Sequence, residues 1–157
     1  MKKKVLFTVF IVFITSLCSS RNLKIKDFYF CENGNYIYLG DSLKKYDPLC
    51  DTKPFILKDL GNNRFKVYNY KWGEIYVPYK SSSYKIFGIV ITSPKVNIID
   101  FIKVGDSKKR TLEILGTPEI NNKSNISFYN EDFDVLELKI YFNVFKRISK
   151  IQIFMGT

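Results

Sequence analysis

The chain has 157 residues, a net charge of +10 from 25 Lys and Arg against 15 Asp and Glu, and no histidine. That length suits one domain or two very small ones, and a hydrophobic fraction of 46% excludes a chain too polar to build a core. Without imidazole the commonest general base and zinc ligand are missing, and three cysteines cannot complete a metal cage. No convergent set of carboxylates or tyrosines takes their place. The expectation is a protein that is not an enzyme, with no catalytic residue, no metal and no cofactor.

Residues 1–20 read as an export signal. Lys2, Lys3 and Lys4 precede an uncharged, mostly apolar run from Val5 to Leu17, then Ser16, Cys18, Ser19 and Ser20 supply small side chains. The run suits a signal-peptide core and is short for a membrane span. Thr15-Ser16-Leu17-Cys18 resembles a bacterial lipoprotein box, although Leu17 stands where a small residue is usual. A lipid on Cys18 is favoured over a freely soluble exported protein, because it leaves an even pair of cysteines, Cys31 and Cys50. An uncleaved anchor ranks last.

From residue 21 the chain divides at Pro94 into 21–95 and 96–157, with no Gly/Ser-rich linker. In the first part, Asn33-Gly34 marks a hairpin turn. A helix starts at Asp41 or Ser42 and is cut short by Pro48. Strands follow near 64–70, 74–79 and 84–92, with Pro78 suggesting an edge or a bulge. In the second part, 96–102 reads as a strand. Asp106 or Ser107 caps a helix of two to three turns that ends at Gly116 and Pro118. Strands are expected at 126–129, 135–142 and 147–154, the second with Leu136, Leu138, Ile140 and Phe142 on one face.

The parts echo each other. Shifted by 65 residues, 36–92 falls on 101–157 with 12 identities in 57 pairs, among them Gly40-Asp41-Ser42 on Gly105-Asp106-Ser107 and Lys85-Ile86 on Lys150-Ile151. The expected fold class is α+β: two tandem repeats of a short helix packed on an antiparallel β-sheet.

The strand, the Val104-Gly105-Asp106-Ser107 turn, the short helix ending Leu115-Gly116-Thr117-Pro118 and the alternating strands resemble the SmpA/OmlA domain of outer-membrane assembly lipoproteins. Their duplication is similar to the tandem repeat of β-lactamase inhibitor proteins. Residues 101–157 carry most of the likeness and 36–92 a weaker one. The resemblance implies an exported, periplasmic or membrane-tethered protein that binds other proteins, and it transfers no binding residue.

Two groups of residues are singled out. Cys31 and Cys50 are expected as a structural disulfide; eighteen intervening residues do not make a redox motif, and such a loop would stabilise by about 3 kcal/mol. Aromatics crowd 65–87, where Tyr68, Tyr70, Trp72 and Tyr79 are candidates for a protein-binding face; sheet cladding is the simpler explanation of the same rings. The dispersed positive charge suits a solvated surface, or one facing anionic lipid or an acidic partner. Nucleic acid is not an expected partner, for no recognition signature appears. The favoured function is therefore an envelope protein that binds another protein, as an assembly factor or an inhibitor. The alternative is a cell-wall or glycan-binding module.

Overall fold

In the computed structural model, the residues described are 29–32, 34–99, 101–130 and 136–156. Residues 1–28, with the export signal and Cys18, lie outside them. Among the described residues the fold is mostly β: strands take 51%, helices 12%, in two helices and two antiparallel sheets. This corrects the α+β expectation of two helix-on-sheet repeats, and the reason is local. Helix α1, Leu43–Tyr46, is one turn long, because the residue before a proline is driven out of the helical region and Asp47 is followed by Pro48. Only α2, Lys108–Leu115, exceeds a turn. Its N-cap Ser107 accepts a hydrogen bond from the Arg110 N–H, and Gly116 closes it at φ 82° with its N–H on the Leu112 carbonyl.

The strands in chain order are β1 Tyr29–Glu32, β2 Asn35–Tyr38, β3 Ile56–Leu60, β4 Asn63–Tyr70, β5 Gly73–Pro78, β6 Gly88–Ile91, β7 Asn97–Ile98, β8 Ile102–Lys103, β9 Ile120–Asn121, β10 Asn125–Asn130, β11 Leu136–Phe142 and β12 Ile148–Met155. The large sheet has the order β3-β4-β5-β6-β12-β11-β10-β9 and the small one β2-β1-β7-β8. Each order reads alike from either edge, with the two parts of the chain meeting at β6–β12 and β1–β7. The expected boundary at residue 95 is thus crossed by strand pairing in both sheets.

Where 96–102 suggested one strand, β7 and β8 form a tight hairpin with Phe101 at φ 66°. The 65-residue offset, kept by Ile75 and Ile140 on β5 and β11, fails on reaching β6 and β12. Gly40 N–H bonds the Ile86 carbonyl and the Asp41 carbonyl accepts the Ile86 N–H, both at 2.8 Å; Gly105 and Asp106 make the same two bonds, at the same length, to Ile148. Ile86 therefore answers to Ile148, not to Ile151. Tyr84 and Lys146, which accept the Leu43 and Lys108 N–H groups, share a positive φ of 52° and 56°.

Strand alternation gives the large sheet two unlike faces. The inner face carries Tyr68, Ile75, Val77, Ile89, Ile91, Leu138, Ile140, Ile151 and Ile153. It packs against Phe30, Ile37, Ile98 and Ile102 of the small sheet, with Leu43 and Leu115 of the helices, in one core. The small sheet therefore does the covering that the helices were expected to do. On the outer face Phe65, Val67, Tyr76 and Val90 form a second, separate cluster with the partly buried Phe87 and Phe154.

Candidate functional site

Of the four aromatics expected on a binding face, two lie in the interior. Tyr68 and Trp72 are each 2% exposed. The Trp72 indole N–H donates to Glu32 Oε2 at 2.9 Å, and the Tyr46 hydroxyl donates to the same oxygen. Tyr70, half-buried, stacks on Trp72 with centroids 5.3 Å apart and planes 10° from parallel. Its hydroxyl donates to Asp47 Oδ2 at 2.8 Å. Tyr79 alone is openly exposed, beyond the end of β5. These residues do not form one face, because Lys71 and Trp72 make the β4–β5 turn and Tyr79 lies beyond the end of β5.

The Asp47 carboxylate sits mostly buried beneath Tyr70, with Lys53 Nζ 2.5 Å from Oδ2. Burial alone would raise its pKa, but the bonds from Lys53 and Tyr70 outweigh that and hold it below the ordinary value. Burial, aided by Asp47, drives the Tyr70 hydroxyl strongly upward, and burial lifts Tyr46 and Tyr68 to about 12. In this polar network Glu32 Oε2 holds two donors and Asp47 Oδ2 two more, beside a shallow recess lined by the same residues.

Cys31 and Cys50 are free thiols, and the expected disulfide is absent. Alternation along β1 explains it: Phe30 points into the core that also holds Cys50, so Cys31 points to the other side of the small sheet. Burial pushes the Cys50 thiol pKa up, which makes it less reactive.

The outer face of the large sheet gathers further aromatic side chains, of which Phe65 and Tyr76 are 1% and 5% exposed and Phe87 and Phe154 are partly buried. Phe65 and Phe87 rings lie 4.8 Å apart, and Tyr76 and Phe154 5.0 Å, the latter edge to face. Gly88 makes room: a Cβ there would come within 2.2 Å of the Phe154 ring. On β3, Ile56 and Leu60 extend the patch at 52% and 37% exposure. Polar groups flank it. Lys58 Nζ lies 2.9 Å from both Glu74 carboxylate oxygens and donates to the Tyr76 hydroxyl at 3.2 Å, while that hydroxyl donates to Glu74 at 2.6 Å. Desolvation would lower the Lys58 pKa and raise that of Glu74, but this mutual bonding reverses both shifts, so the pair stays ionised. Toward β11 and β10 the face becomes polar, with Ser127 and Tyr129 both donating to Glu137. A recess at the β3–β4 end is lined by Asp59, Asn63, Arg64, Phe65, Tyr79 and Phe87.

The sequence reading singled out none of Tyr76, Phe87 and Phe154. The available signal was the run Phe65-Lys66-Val67-Tyr68, apolar at both parities, which marks a strand burdened on both faces. Among the described residues no group of His, Cys, Asp or Glu could hold a metal ion, and no helix is long and apolar enough to cross a membrane. No protein-family model, curated protein or solved structure matches the chain.

Proposed function

We propose that the chain is an exported, envelope-associated binding protein that catalyses nothing and docks another protein on the outer face of its large sheet. The observation that carries this reading is the Phe65, Tyr76, Phe87 and Phe154 cluster, extended to solvent by Ile56 and Leu60 and rimmed by the Lys58–Glu74 pair. A sheet needs one covered face to fold, and here the small sheet and helices already supply that cover. A second aromatic cluster on the other side is the composition of an interface centre, with a polar rim around it. The export signal with Cys18 as lipid carrier, and the SmpA/OmlA-like arrangement of turn, helix and strands, support an envelope site of action. The docking residues of this reading are Ile56, Leu60, Phe87 and Phe154, with Tyr79 at the margin; Tyr68 and Trp72 play no direct part.

A glycan is the second reading, favoured by the recess where Tyr79 and Phe87 rings stand beside Asp59, Asn63 and Arg64. Affinity capture from envelope extracts separates the two. A protein retained by the parent chain and released by Ile56→Asp with Leu60→Asp supports docking on the sheet face. Binding to purified peptidoglycan that free sugar competes and Tyr79→Ala abolishes supports the glycan reading instead.

A further inference from the structure

We propose a second contact surface, independent of the sheet face: the β11–β12 hairpin tip docks onto an anionic lipid bilayer. Val144 and Phe145 stand at 90% and 81% exposure, the two most exposed large apolar side chains among the described residues. Side chains of this kind projecting together from a turn are uncommon on soluble surfaces and mark contact with a protein or a membrane. The turn is firmly built. Asn143 Oδ1 accepts the Phe145 and Arg147 N–H groups at 3.0 and 3.1 Å, and its main chain bonds Lys146 and Arg147, both at 2.9 Å. The apolar pair is therefore presented, not merely left over at a loose end.

Charge decides for lipid. The register of the large sheet brings four connections to the same end: 71–72, 92–96, 122–124 and 143–147. They carry Lys71, Lys95, Lys123, Lys146 and Arg147, all exposed, and no acidic residue. Asp106, beside Ile148 and Arg147 in register, is already engaged by the Lys103 N–H and lies 3.7 Å from Arg110. Two apolar side chains within a belt of cations match a bilayer interface, where the rings and branches enter the headgroup layer and the lysines remain among anionic headgroups. Each such cation strengthens binding about fivefold. The opposite end differs in its apolar content: its long connection, 79–87, exposes Lys80, Lys85, Ser82 and Ser83, with Tyr79 its one exposed large apolar side chain.

The test places an environment-sensitive fluorophore on the full chain, with Cys18→Ser and Cys31→Ser removing accessible thiols and Cys50 left in the core. One protein carries the label at Phe145→Cys and another at Ser82→Cys, at the opposite end. With vesicles rich in phosphatidylglycerol, the label at 145 is expected to shift to the blue and the label at 82 to stay as in water. The shift should fade near 1 M salt, where the screening length is about 3 Å, and be absent on phosphatidylcholine vesicles. Replacing Lys71, Lys123, Lys146 and Arg147 by Gln should raise the anionic lipid needed for half the shift at least about tenfold. No shift at 145, equal shifts at both labels, or an equal response to neutral vesicles overturns the proposal. None of these results depends on whether a protein docks on the sheet face.

Discussion

Tyr68 supplies the most unusual energetic prediction. It is 2% exposed on the inner face of β4, its ring packs against Phe55 at 5.9 Å, and its buried hydroxyl has no hydrogen-bond partner. A buried polar group without a partner forfeits its bond to water and gains nothing in return, a cost of about 1–3 kcal/mol. Tyr68→Phe removes that oxygen and keeps the ring. The expected result is a gain of about 1 kcal/mol, the low end of that range, because the phenylalanine leaves a small gap where the oxygen was. For a domain of this size that raises the melting temperature by about 4 °C. Thermal and urea unfolding followed by circular dichroism measure it, with an unchanged urea slope excluding a change in the unfolded chain. A loss of about 1 kcal/mol or more would mean that the hydroxyl has a partner after all, and the account of this part of the core would be wrong.

Other predictions follow from the same packing. Asp47→Asn should cost about 1–2 kcal/mol at neutral pH, since a charge-assisted bond to the half-exposed Lys53 is lost. Because the folded pKa of Asp47 is depressed, its contribution is present above the unfolded value near 3.9 and is lost as pH falls through the folded one; urea midpoints below about pH 4 should therefore fall more steeply for the parent than for the variant. Tyr46 and Tyr68 are raised from 10.0 to about 12, so the unfolded chain gives up those protons first, and stability should decline from about pH 10 upward, with phenolate absorbance from both appearing only on unfolding or near pH 12. Gly73→Ala should cost at least about 3 kcal/mol, because its Cβ would lie 1.8 Å from the Val90 carbonyl oxygen of the neighbouring strand; chemical denaturation reads this directly. Trp72 is the sole tryptophan, so its emission should be that of a buried indole and resist iodide quenching until the chain unfolds.

Local signals in the sequence translated well into elements. Gly34 lies between β1 and β2 at φ 82°, Ser107 caps α2, Gly116 ends it, and the alternation of Leu136, Leu138, Ile140 and Phe142 is the buried face of β11. What the sequence hid was non-local. Val96 to Ile102 is apolar at five of seven positions, and Asp100 alone is a faint mark of the turn that makes two strands of it. The pairing of β1 with β7 gives the second sheet, and no periodicity within either segment records a partner 68 positions away, as Phe30 is from Ile98. That sheet, not the pair of helices, covers the large one, and for this reason the fold class came out as mostly β.

The aromatic stripe was visible, but not its facing. Phe65 and Val67 point outward and Tyr68 inward on one strand, and hydrophobicity alone does not tell two loaded faces apart. Phe87 joins the outer cluster through an irregularity before β6, where its N–H and the Gly88 register both address Tyr76. Such a bulge redirects a side chain without any sequence mark as plain as a glycine turn.

The account stands or falls on whether a protein occupies the outer sheet face. A photo-crosslinking residue placed at Ile56 in the cell that makes this protein, compared with the same residue at Ser82, tests this most directly. Crosslinks to one discrete protein from position 56, absent from position 82 and lost when Phe154→Ala removes the neighbouring ring, are the predicted result. Equal labelling from both positions, or none from position 56, would contradict it.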